Sequence, residues 1–573
     1  MAAKPFESRI QDLVYNVDAG VGLRLIKSVL YFLFIAFVLL LYTANQFKGL
    51  RDAEAMDSAQ LGRNFMMTRQ LVTQHVRPAS IWFQSTRRGV PEVAVHGHRD
   101  IVNAPLYPVM LGVWFRLTGA DFEAAPRSPL EVFQPEYRVL FLNHLFTVLT
   151  GLLVYLLALR LFDRRVALLG VTLFFLSDSV LGASLSGTGV AVVMGWAVAA
   201  IYSMVIAVGR IEESKALRYW VVPALCALLF CVLAFLTRYA AIVLLPGLAL
   251  YLGWSLGRRG WIHALVFMAL FGVGIAPWMA RNIQVSGAPL GMAPYLALNE
   301  TSAFPDNSFE RHLAPQVSAG MLTPLRRKFT EQMAVRYNHY LPGLGDGMLI
   351  SLFLVTFFYR FVRAPVHRLR WGLALSMGLF MVIGALYGEA TWRAILMFWP
   401  LIILYGLAFF LLLLERLQLQ MKLLNGAVTG VVVLLSTLPM IFTLLPPRQT
   451  PPYPPYATGL IAYISNLLEP DELMCTDMPW ATAWYGGRTS ILLPRTVDQF
   501  YDINDYLHRV HGLYFTTLTR NLPYARTLRS PVYVSWLPIL EGRLPRDFPL
   551  SQGIPLQNME QIFLSDRARW AER

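Results

Sequence analysis

Long, uninterrupted apolar runs are the feature that most constrains what this chain can fold into. A helix advances about 1.5 Å per residue, so roughly 20 apolar residues are needed to cross a hydrocarbon core of about 30 Å. We therefore predict an α-helical polytopic membrane protein with about eleven transmembrane helices. The spans are expected to start near Leu25, Val139, Val166, Val190, Trp220, Ala241, Ile262, Met348, Gly372, Ala394 and Gly426.

The composition agrees with a membrane protein, since 56% of the 573 residues are hydrophobic and 15% are charged. The formal charge of +14 does not indicate nucleic acid as a partner, because the basic residues lie mostly in short loops, where they set membrane orientation. Cys226 and Cys231 lie in one apolar run and Cys475 stands alone, so neither a disulfide framework nor a metal-ligand spacing is present. The first run lacks a small-residue cleavage site, which predicts a retained span.

Basic residues recur in every second loop, which predicts a cytoplasmic amino terminus. The predicted inner loops carry Arg160, Arg164, Arg165, Arg210, Lys215, Arg218, Arg258, Arg259, Arg360, Arg363, Arg368, Arg370, Arg416 and Lys422. Three larger segments are then placed outside, at about residues 46–137, 281–346 and 446–573. Function is expected on that side.

The last outer segment opens with a proline-rich hinge of six prolines between residues 446 and 455, which cannot continue a helix. We predict a transmembrane domain over residues 1–445 and a carboxy-terminal extracytoplasmic domain over residues 446–573. Short apolar runs at 490–493, 513–516 and 531–534, punctuated by Gly and Pro, indicate a small α/β unit.

Two carboxylates, Glu54 and Asp57, follow the first span in a helix-compatible run. Their spacing of three places both on one face of a helix, where either reaches a substrate at the membrane surface. The structural alternative is that Asp52 caps the helix and the other carboxylates are solvated, because acidic residues favour the first helical turn.

The same segment continues through His96, His98 and Tyr107 into an apolar helix over about residues 109–117. That helix is too short to span and is expected to lie in the interface. His96 and His98 resemble a metal-ligand pair only weakly, because no matching Cys/His set accompanies them. A solvated loop is the favoured interpretation.

Arg238, Arg281 and Arg393 fall at the predicted outer ends of spans. A guanidinium group presents several hydrogen-bond donors in a geometry suited to phosphate oxygens, so these arginines are candidates for binding phosphate. The structural alternative for Arg281 and Arg393 is that their side chains extend to the membrane interface. Arg238 interrupts apolar sequence on both sides, and an unpaired charge inside the membrane costs at least about 3 kcal/mol. It therefore calls for an anionic partner, either a carboxylate such as Glu389 or a bound phosphate.

Asp178 lies near the outer end of the third predicted span. A helix-capping role or an ion pair with an arginine is favoured over a direct catalytic role, because Ser and Asp readily bond the local backbone.

Together, the acidic run at Glu54 and Asp57, the segment around Tyr107, the Thr-Arg-Tyr at Arg238 and the Pro-Trp leading to Arg281 resemble the GT-C glycosyltransferases. The resemblance is to the type that includes protein O-mannosyltransferases and aminoarabinose–lipid A transferases, and it covers roughly residues 23–445. It implies a polyprenyl-phosphate sugar donor, a lipid, glycan or protein acceptor, and a location in the bacterial inner membrane. It also places Glu54 at the position of an acidic residue that activates the acceptor, with Asp57 as the alternative.

The expected reaction is an inverting glycosyl transfer on the extracytoplasmic side, with Glu54 or Asp57 as general base. Arg238, Arg281 or Arg393, with Tyr107, Asp178 and His98 as further candidates, would bind the donor or its phosphate. A divalent metal is an alternative source of positive charge, but no ligand cluster requires one. The rival interpretation is a transporter or flippase for an anionic lipid or solute, which predicts polar residues near mid-membrane and broken helices.

Overall fold

The computed structural model describes residues 21–85, 89, 94–123, 131–214, 216–340, 348–418, 421–445, 457–520, 534–556 and 561–571. Helices make up most of the described chain before residue 446. In chain order they are α1 (Val21–Gln46), α2 (Ala53–Thr68), α3 (Pro78–Gln84), α4 (Leu106–Thr118), α5 (Gln134–Leu161), α6 (Arg164–Phe175), α7 (Asp178–Leu185), α8 (Val190–Ser214), α9 (Leu217–Thr237), α10 (Leu244–Ser255), α11 (Gly260–Ser286), α12 (Leu322–Val335), α13 (Met348–Val355), α14 (Ala364–Tyr387), α15 (Glu389–Trp392), α16 (Trp399–Arg416) and α17 (Lys422–Leu444).

Among the described residues, eight helices are long and apolar enough to cross a membrane: α1, α5, α8, α9, α11, α14, α16 and α17. The protein is therefore an integral membrane protein, and the predicted α-helical polytopic class is confirmed. α8 and α16 are the most enclosed helices, whereas α1 and α11 keep most of their apolar surface on the outside of the bundle. An outward apolar surface suits helices that face hydrocarbon.

Three of the eleven predicted spans are not single long helices. The third is divided into α6 and α7, which are bent by 52° where Ser177 occupies the N-cap position of α7. Ser side chains bond the local backbone and so favour a helix boundary over a helix interior. The sixth and eighth are shorter, since α10 has 12 residues and α13 has 8, fewer than a straight crossing needs.

Small residues allow α10 and α14 to pack backbone against backbone. A Cβ atom added at Gly247 would lie 2.3 Å from the carbonyl oxygen of Gly372. Glycine on both helices is what permits this approach, as at many helix crossings in membranes.

The carboxy-terminal part is a small α/β unit, as predicted. Its helices are α18 (Thr458–Asn466), α19 (Pro479–Gly486), α20 (Val497–Asp502), α21 (Thr517–Arg520) and α22 (Leu537–Leu540). The described strands of the whole chain are β1 (Val72–Thr73), β2 (His75–Val76), β3 (His98–Arg99), β4 (Leu473–Thr476), β5 (Ser490–Leu492), β6 (Val510–Phe515), β7 (Gln552–Leu556) and β8 (Gln561–Ser565).

Six of these strands form one sheet in the order β2-β5-β4-β6-β8-β7. β2, β5, β4 and β6 run parallel, and β8 and β7 continue the sheet antiparallel. Two of the short apolar runs, 490–493 and 513–516, coincide with β5 and β6. In the third run, Val534 begins a 3-10 turn, while residues 531–533 and the proline-rich hinge lie outside the described residues.

The edge strand β2 comes from the first outer segment, about 400 residues earlier in the chain than β5. The apolar core beneath the sheet is likewise shared, since Met56 of α2 and Phe115 of α4 cluster with Ile461 of α18 and Trp484 of α19. The first predicted outer segment and the carboxy-terminal unit therefore form one assembly. The domain boundary near residue 445 stays a prediction.

Candidate active site

The start of α2 brings a carboxylate to the largely buried arginine at the end of a membrane helix. Glu54, in the first turn of α2, forms an ion pair with Arg238, the residue at which α9 ends. The side chain of Arg238 is 10% exposed and that of Glu54 is 29% exposed. Glu54 thus supplies the anionic partner that the sequence required for Arg238, while the side chain of Glu389 lies outside the described part of the chain.

A second ion pair lies at the same helix start. Asp52 occupies the N-cap position of α2, but its side chain makes no capping hydrogen bond. It pairs instead with Arg393, the first residue of the 3-10 turn that precedes α16. Both side chains are partly exposed, Asp52 at 24% and Arg393 at 40%.

The Asp52–Arg393 pair lines a cavity of about 330 Å³. A volume of this size is at the lower end of what small-molecule sites provide. Its polar lining comes from Gln46, Arg51, Asp52, Ser186, Thr188 and Arg393. Its apolar lining includes Phe47, Leu185, Val190 and Leu396. The cavity therefore combines positive charge with apolar surface.

Asp57 lies in a closed polar cluster. Arg77 Nη2 donates to Asp57 Oδ2 at 2.9 Å, Asn103 Nδ2 donates to the same oxygen at 3.0 Å, and Gln60 Nε2 donates to Oδ1 at 3.0 Å. His75 Nδ1 lies 3.2 Å from Oδ1, and the Asp57 side chain is 3% exposed. Burial alone would raise the pKa of Asp57, but the charges and hydrogen bonds of His75 and Arg77 outweigh it and lower the pKa.

Asn103 links Asp57 to a second buried carboxylate, Asp100. The backbone N–H of Asn103 donates to Asp100 Oδ2 at 2.9 Å, and its side-chain amide donates to Oδ1 at 3.2 Å. Burial, helped by the charge of Asp57, raises the pKa of Asp100 to about 6. Arg281 donates to the backbone oxygen of Asp100 and stacks over Trp278, with its Cζ 4.9 Å from the ring centroid. Arg281 therefore contacts the loop that carries Asp100.

Tyr107 and Asp178 connect helices around the cavity. The Tyr107 hydroxyl donates to the Gly187 carbonyl at 2.9 Å and accepts from Asn143 Nδ2 at 3.0 Å, and the side chain is buried. Asp178, the first residue of α7, accepts a hydrogen bond from the Tyr42 hydroxyl at 2.9 Å. Gly187 sits between the cavity-lining residues Ser186 and Thr188, so Tyr107 fixes the turn that forms one wall.

His98 is buried away from solvent. Its Nε2 lies 2.8 Å from Ser80 Oγ and 2.9 Å from Gln84 Nε2. Burial lowers the pKa of His98 to about 4, so the imidazole is neutral at pH 7 and carries no charge to a phosphate. The predicted solvated loop is wrong for His98. Within the described ranges, no group of three or more His, Cys, Asp and Glu side chains could hold a metal ion.

Two buried charged residues that the sequence did not single out join α2 and α5 to the carboxy-terminal unit. Arg63 of α2 donates to the backbone oxygens of Ala483 at 2.7 Å and Trp484 at 3.0 Å. Glu136 accepts from the Tyr485 hydroxyl at 2.8 Å and from Trp484 Nε1 at 3.2 Å. A lone charge in an apolar surrounding is a sequence signal for a buried partner, but the partners lie more than 340 residues away.

Close packing of α2 against α4 fixes the helix that carries Glu54. A Cβ atom added at Gly112 of α4 would lie 2.6 Å from the carbonyl oxygen of Gly62 of α2. The predicted interfacial helix over about residues 109–117 is thus α4, and it supports α2 from one side while the carboxy-terminal unit supports it from the other.

Comparisons with known proteins agree with this architecture. Residues 132–280, from the start of α5 into α11, match the family described as dolichyl-phosphate-mannose-protein mannosyltransferase. The matched segment contains Arg238 and excludes Glu54. No curated protein sequence matches the chain significantly.

Solved structures resemble most of the chain at low sequence identity. The Archaeoglobus fulgidus oligosaccharyltransferase tethered with an acceptor peptide has a TM-score of 0.53 and 11% identity, over 84% of this chain and 68% of that chain. The oligosaccharyltransferase AglB from the same organism, in complex with an inhibitory peptide and a dolichol-phosphate, has a TM-score of 0.52 and 11% identity, over 86% and 70% of the two chains. ArnT from Cupriavidus metallidurans bound to undecaprenyl phosphate has a TM-score of 0.43 and 12% identity, over 94% and 98%.

The two oligosaccharyltransferase structures, with TM-scores above 0.5, show that the chain has the fold of the GT-C class, and the resemblance seen in the sequence is confirmed. Within that class, the family matched is that of the dolichyl-phosphate-mannose-protein mannosyltransferases, over about a quarter of the chain.

Proposed function

We propose that this protein is a membrane glycosyltransferase that moves a sugar from a polyprenyl-phosphate-linked donor to an acceptor hydroxyl on the extracytoplasmic side. The observation that carries the proposal is a partly exposed carboxylate, Glu54, paired with Arg238 at the end of a membrane helix. Asp52, two residues before Glu54, pairs with Arg393, and both residues line a cavity with polar and apolar walls. The family match and the dolichol-phosphate in the AglB complex favour a lipid-phosphate donor.

Glu54 is the proposed general base. A general base must come within hydrogen-bond distance of the hydroxyl whose proton it takes, so part of its surface must be open to the acceptor. Glu54 is 29% exposed, whereas Asp57 is 3% exposed and holds contacts to four neighbouring side chains. The contrast favours Glu54 over Asp57, which we propose as a structural residue.

The cavity is the proposed site of the donor phosphate. Arg51 and Arg393 supply guanidinium donors to its oxygens, while Phe47 and Leu396 offer apolar surface to the first part of the lipid. Tyr107 and Asp178 are proposed to keep the cavity walls in place. His98 and Arg281 are proposed to hold the outer segment and not the donor, because each is engaged with neighbouring protein groups.

In the proposed reaction, Glu54 takes the proton of the acceptor hydroxyl while the oxygen of that hydroxyl attacks the anomeric carbon of the sugar. The bond between that carbon and the phosphate oxygen breaks, and the leaving polyprenyl phosphate keeps the electron pair. Attack opposite the leaving group inverts the anomeric configuration. Arg51 and Arg393, which line the cavity, stabilise the negative charge that grows on the phosphate.

The location is part of the proposal. Basic residues in alternate loops favour a cytoplasmic amino terminus, so the cavity and the carboxy-terminal unit would face the outside of the membrane. We propose the bacterial inner membrane as the site of action, with a lipid, glycan or protein hydroxyl as acceptor.

The bend between α6 and α7 is the observation that favours the rival class, because broken helices are common at transport sites. At this bend, however, the described polar groups engage neighbouring helices. Trp399 Nε1 donates to Ser177 Oγ at 2.9 Å, and the Tyr42 hydroxyl donates to Asp178. The bend is therefore tied to the bundle and favours a fixed wall over a moving gate.

The test is a transfer assay with the full-length protein in vesicles that contain a polyprenyl-phosphate sugar. The expected result is released polyprenyl phosphate together with a glycosylated acceptor of inverted configuration. Movement of the lipid across the bilayer with no cleavage of the sugar–phosphate bond would reject the enzyme in favour of a transporter.

A further inference from the structure

We infer that Asp52 competes with the phosphate of the lipid for Arg393 and so weakens the binding of the reaction product. This inference rests on the proposed function. Asp52 acts through Arg393, and it is therefore a positioning residue.

The Asp52–Arg393 pair is built across the cavity. The aspartate belongs to the start of α2, and the arginine belongs to the turn before α16, 341 residues later. Both line the same cavity with Arg51, Ser186 and Thr188. A carboxylate and a phosphate offer the same kind of acceptor oxygens to a guanidinium group. Asp52 occupies donors of Arg393 that a phosphate would otherwise use.

The pair has no evident role in holding the fold. The Asp52 side chain caps no backbone N–H of α2, although it occupies the N-cap position. Exposure of 24% and 40% means that water screens the pair, and exposed ion pairs contribute little to stability. A pair that is weakly stabilising and that lines a cavity is suited to exchanging partners with a ligand.

The exchange acts most strongly on the product. The donor is a phosphodiester with one negative charge, whereas the leaving lipid phosphate is a monoester with a charge of about −1.5 to −2 at pH 7. The monoester draws more stabilisation from Arg393, so it would leave slowly if the arginine had no other partner. When Asp52 returns to Arg393, a smaller fraction of the protein is competent to bind the phosphate. The apparent affinity for the lipid phosphate equals the intrinsic affinity multiplied by that fraction.

The experiment measures binding of farnesyl phosphate to the full-length protein in nanodiscs, for the wild type and for Asp52→Asn. If the pair is closed for about nine-tenths of the time, the variant should bind farnesyl phosphate about tenfold more tightly. In the transfer assay, the variant should be inhibited at about tenfold lower concentrations of added farnesyl phosphate. Asn is as good an N-cap residue as Asp, so the substitution preserves α2.

Three controls separate exchange from other effects. Farnesol, which lacks the phosphate, should bind both proteins equally. Glu212→Gln removes the carboxylate of another partly exposed ion pair, Glu212–Arg368 at 3.3 Å, and should leave binding unchanged. In an Arg393→Gln background, Asp52→Asn should give no gain, because the competition needs the arginine.

Equal affinity of the wild type and Asp52→Asn for farnesyl phosphate would overturn the inference, as would a gain that persists in the Arg393→Gln background or appears with farnesol. These outcomes leave the proposed function intact when the wild type still releases lipid phosphate from a sugar donor. Absence of both farnesyl phosphate binding and sugar transfer in the wild type would overturn the proposed function and this inference together.

Discussion

Glu54 and Asp57 lie three residues apart on α2, yet the two carboxylates have opposite surroundings. Glu54 meets one arginine at the edge of the membrane bundle and keeps part of its surface open. Asp57 is enclosed by Arg77, His75 and other donors from the first outer segment. The difference shows that spacing on a helix places two groups near one another but does not give them one role. The neighbours that the tertiary fold supplies leave Glu54 partly exposed and enclose Asp57.

The largest expected effect separates the two carboxylates directly. Glu54→Gln should lower sugar transfer by about 10²- to 10⁴-fold, the usual loss when a general base is removed. Its unfolding temperature should stay close to that of the wild type, because the Gln side-chain oxygen still accepts from Arg238. Asp57→Asn should instead lower the unfolding temperature. A transfer-competent Glu54→Gln protein beside a folded but inactive Asp57→Asn protein would reverse the assignment.

The closed cluster should be sensitive to the loss of its arginine. Arg77→Met leaves the Asp57 carboxylate buried without its guanidinium partner, and breaking a buried pair costs about 3–5 kcal/mol. Chemical unfolding in detergent measures this loss. Arg327→Met is the matched control, since Arg327 pairs with Glu331 on an exposed helical surface, and no measurable loss is expected. Equal unfolding free energies for the two variants would show that the cluster contributes nothing.

Asp100 gives the cluster a pH dependence opposite in sign to that of Asp57. Its pKa of about 6 exceeds the ordinary 3.8, so its contribution to stability is full below about pH 4 and is lost as the pH rises through 6. At about 1.36 kcal/mol per pKa unit, the change approaches about 3 kcal/mol. Asp100→Asn should reduce the fall in unfolding temperature between pH 4 and 7, while buried Glu136, whose pKa is raised to about 7, keeps a part of that fall. A variant with the same pH profile as the wild type would contradict this assignment.

The smallest expected effect concerns the support of α2. Gly112→Ala places a methyl group against the Gly62 carbonyl and should cost about 1–3 kcal/mol through overpacking. Gly378→Ala is the matched control, because a Cβ atom at Gly378 of α14 meets no neighbouring atom within 4 Å. Equal unfolding temperatures for the two variants would show that the α2–α4 contact adapts freely.

The membrane part of the fold was predictable from sequence because bilayer thickness imposes a minimum length on every span. The sequence carries a local signal for the break at Ser177, because Ser177 and Asp178 favour a helix start. The sequence gives a weaker indication that α10 and α13 are short. Apolar runs do not reveal whether a turn of 3-10 helix interrupts them, as it does after Arg238.

The candidate site was predictable only in part, because its contacts join distant parts of the chain. The charge of Arg238 required a partner, but choosing Glu54 over Glu389 depends on how α2 packs against the bundle. The Asp52–Arg393 pair spans 341 residues, and neither helix propensity nor spacing indicates it. His75 lies in the two-residue strand β2 and Arg77 follows it, and β2 pairs with β5 from the far end of the chain.

The placement of β2 has a consequence for how the protein matures during synthesis. His75 pairs in register with Ser490, 415 residues later. At about 5–20 residues per second, the ribosome needs about 20–80 seconds to make that intervening chain. Until then, the first outer segment lacks its neighbouring strand, and Arg63 lacks the backbone carbonyl groups of Ala483 and Trp484 that accept its hydrogen bonds. The segment that carries Glu54 can therefore gain its neighbouring strand only after α17 has been synthesised, so the ribosome must complete the whole membrane bundle before this outer sheet can form.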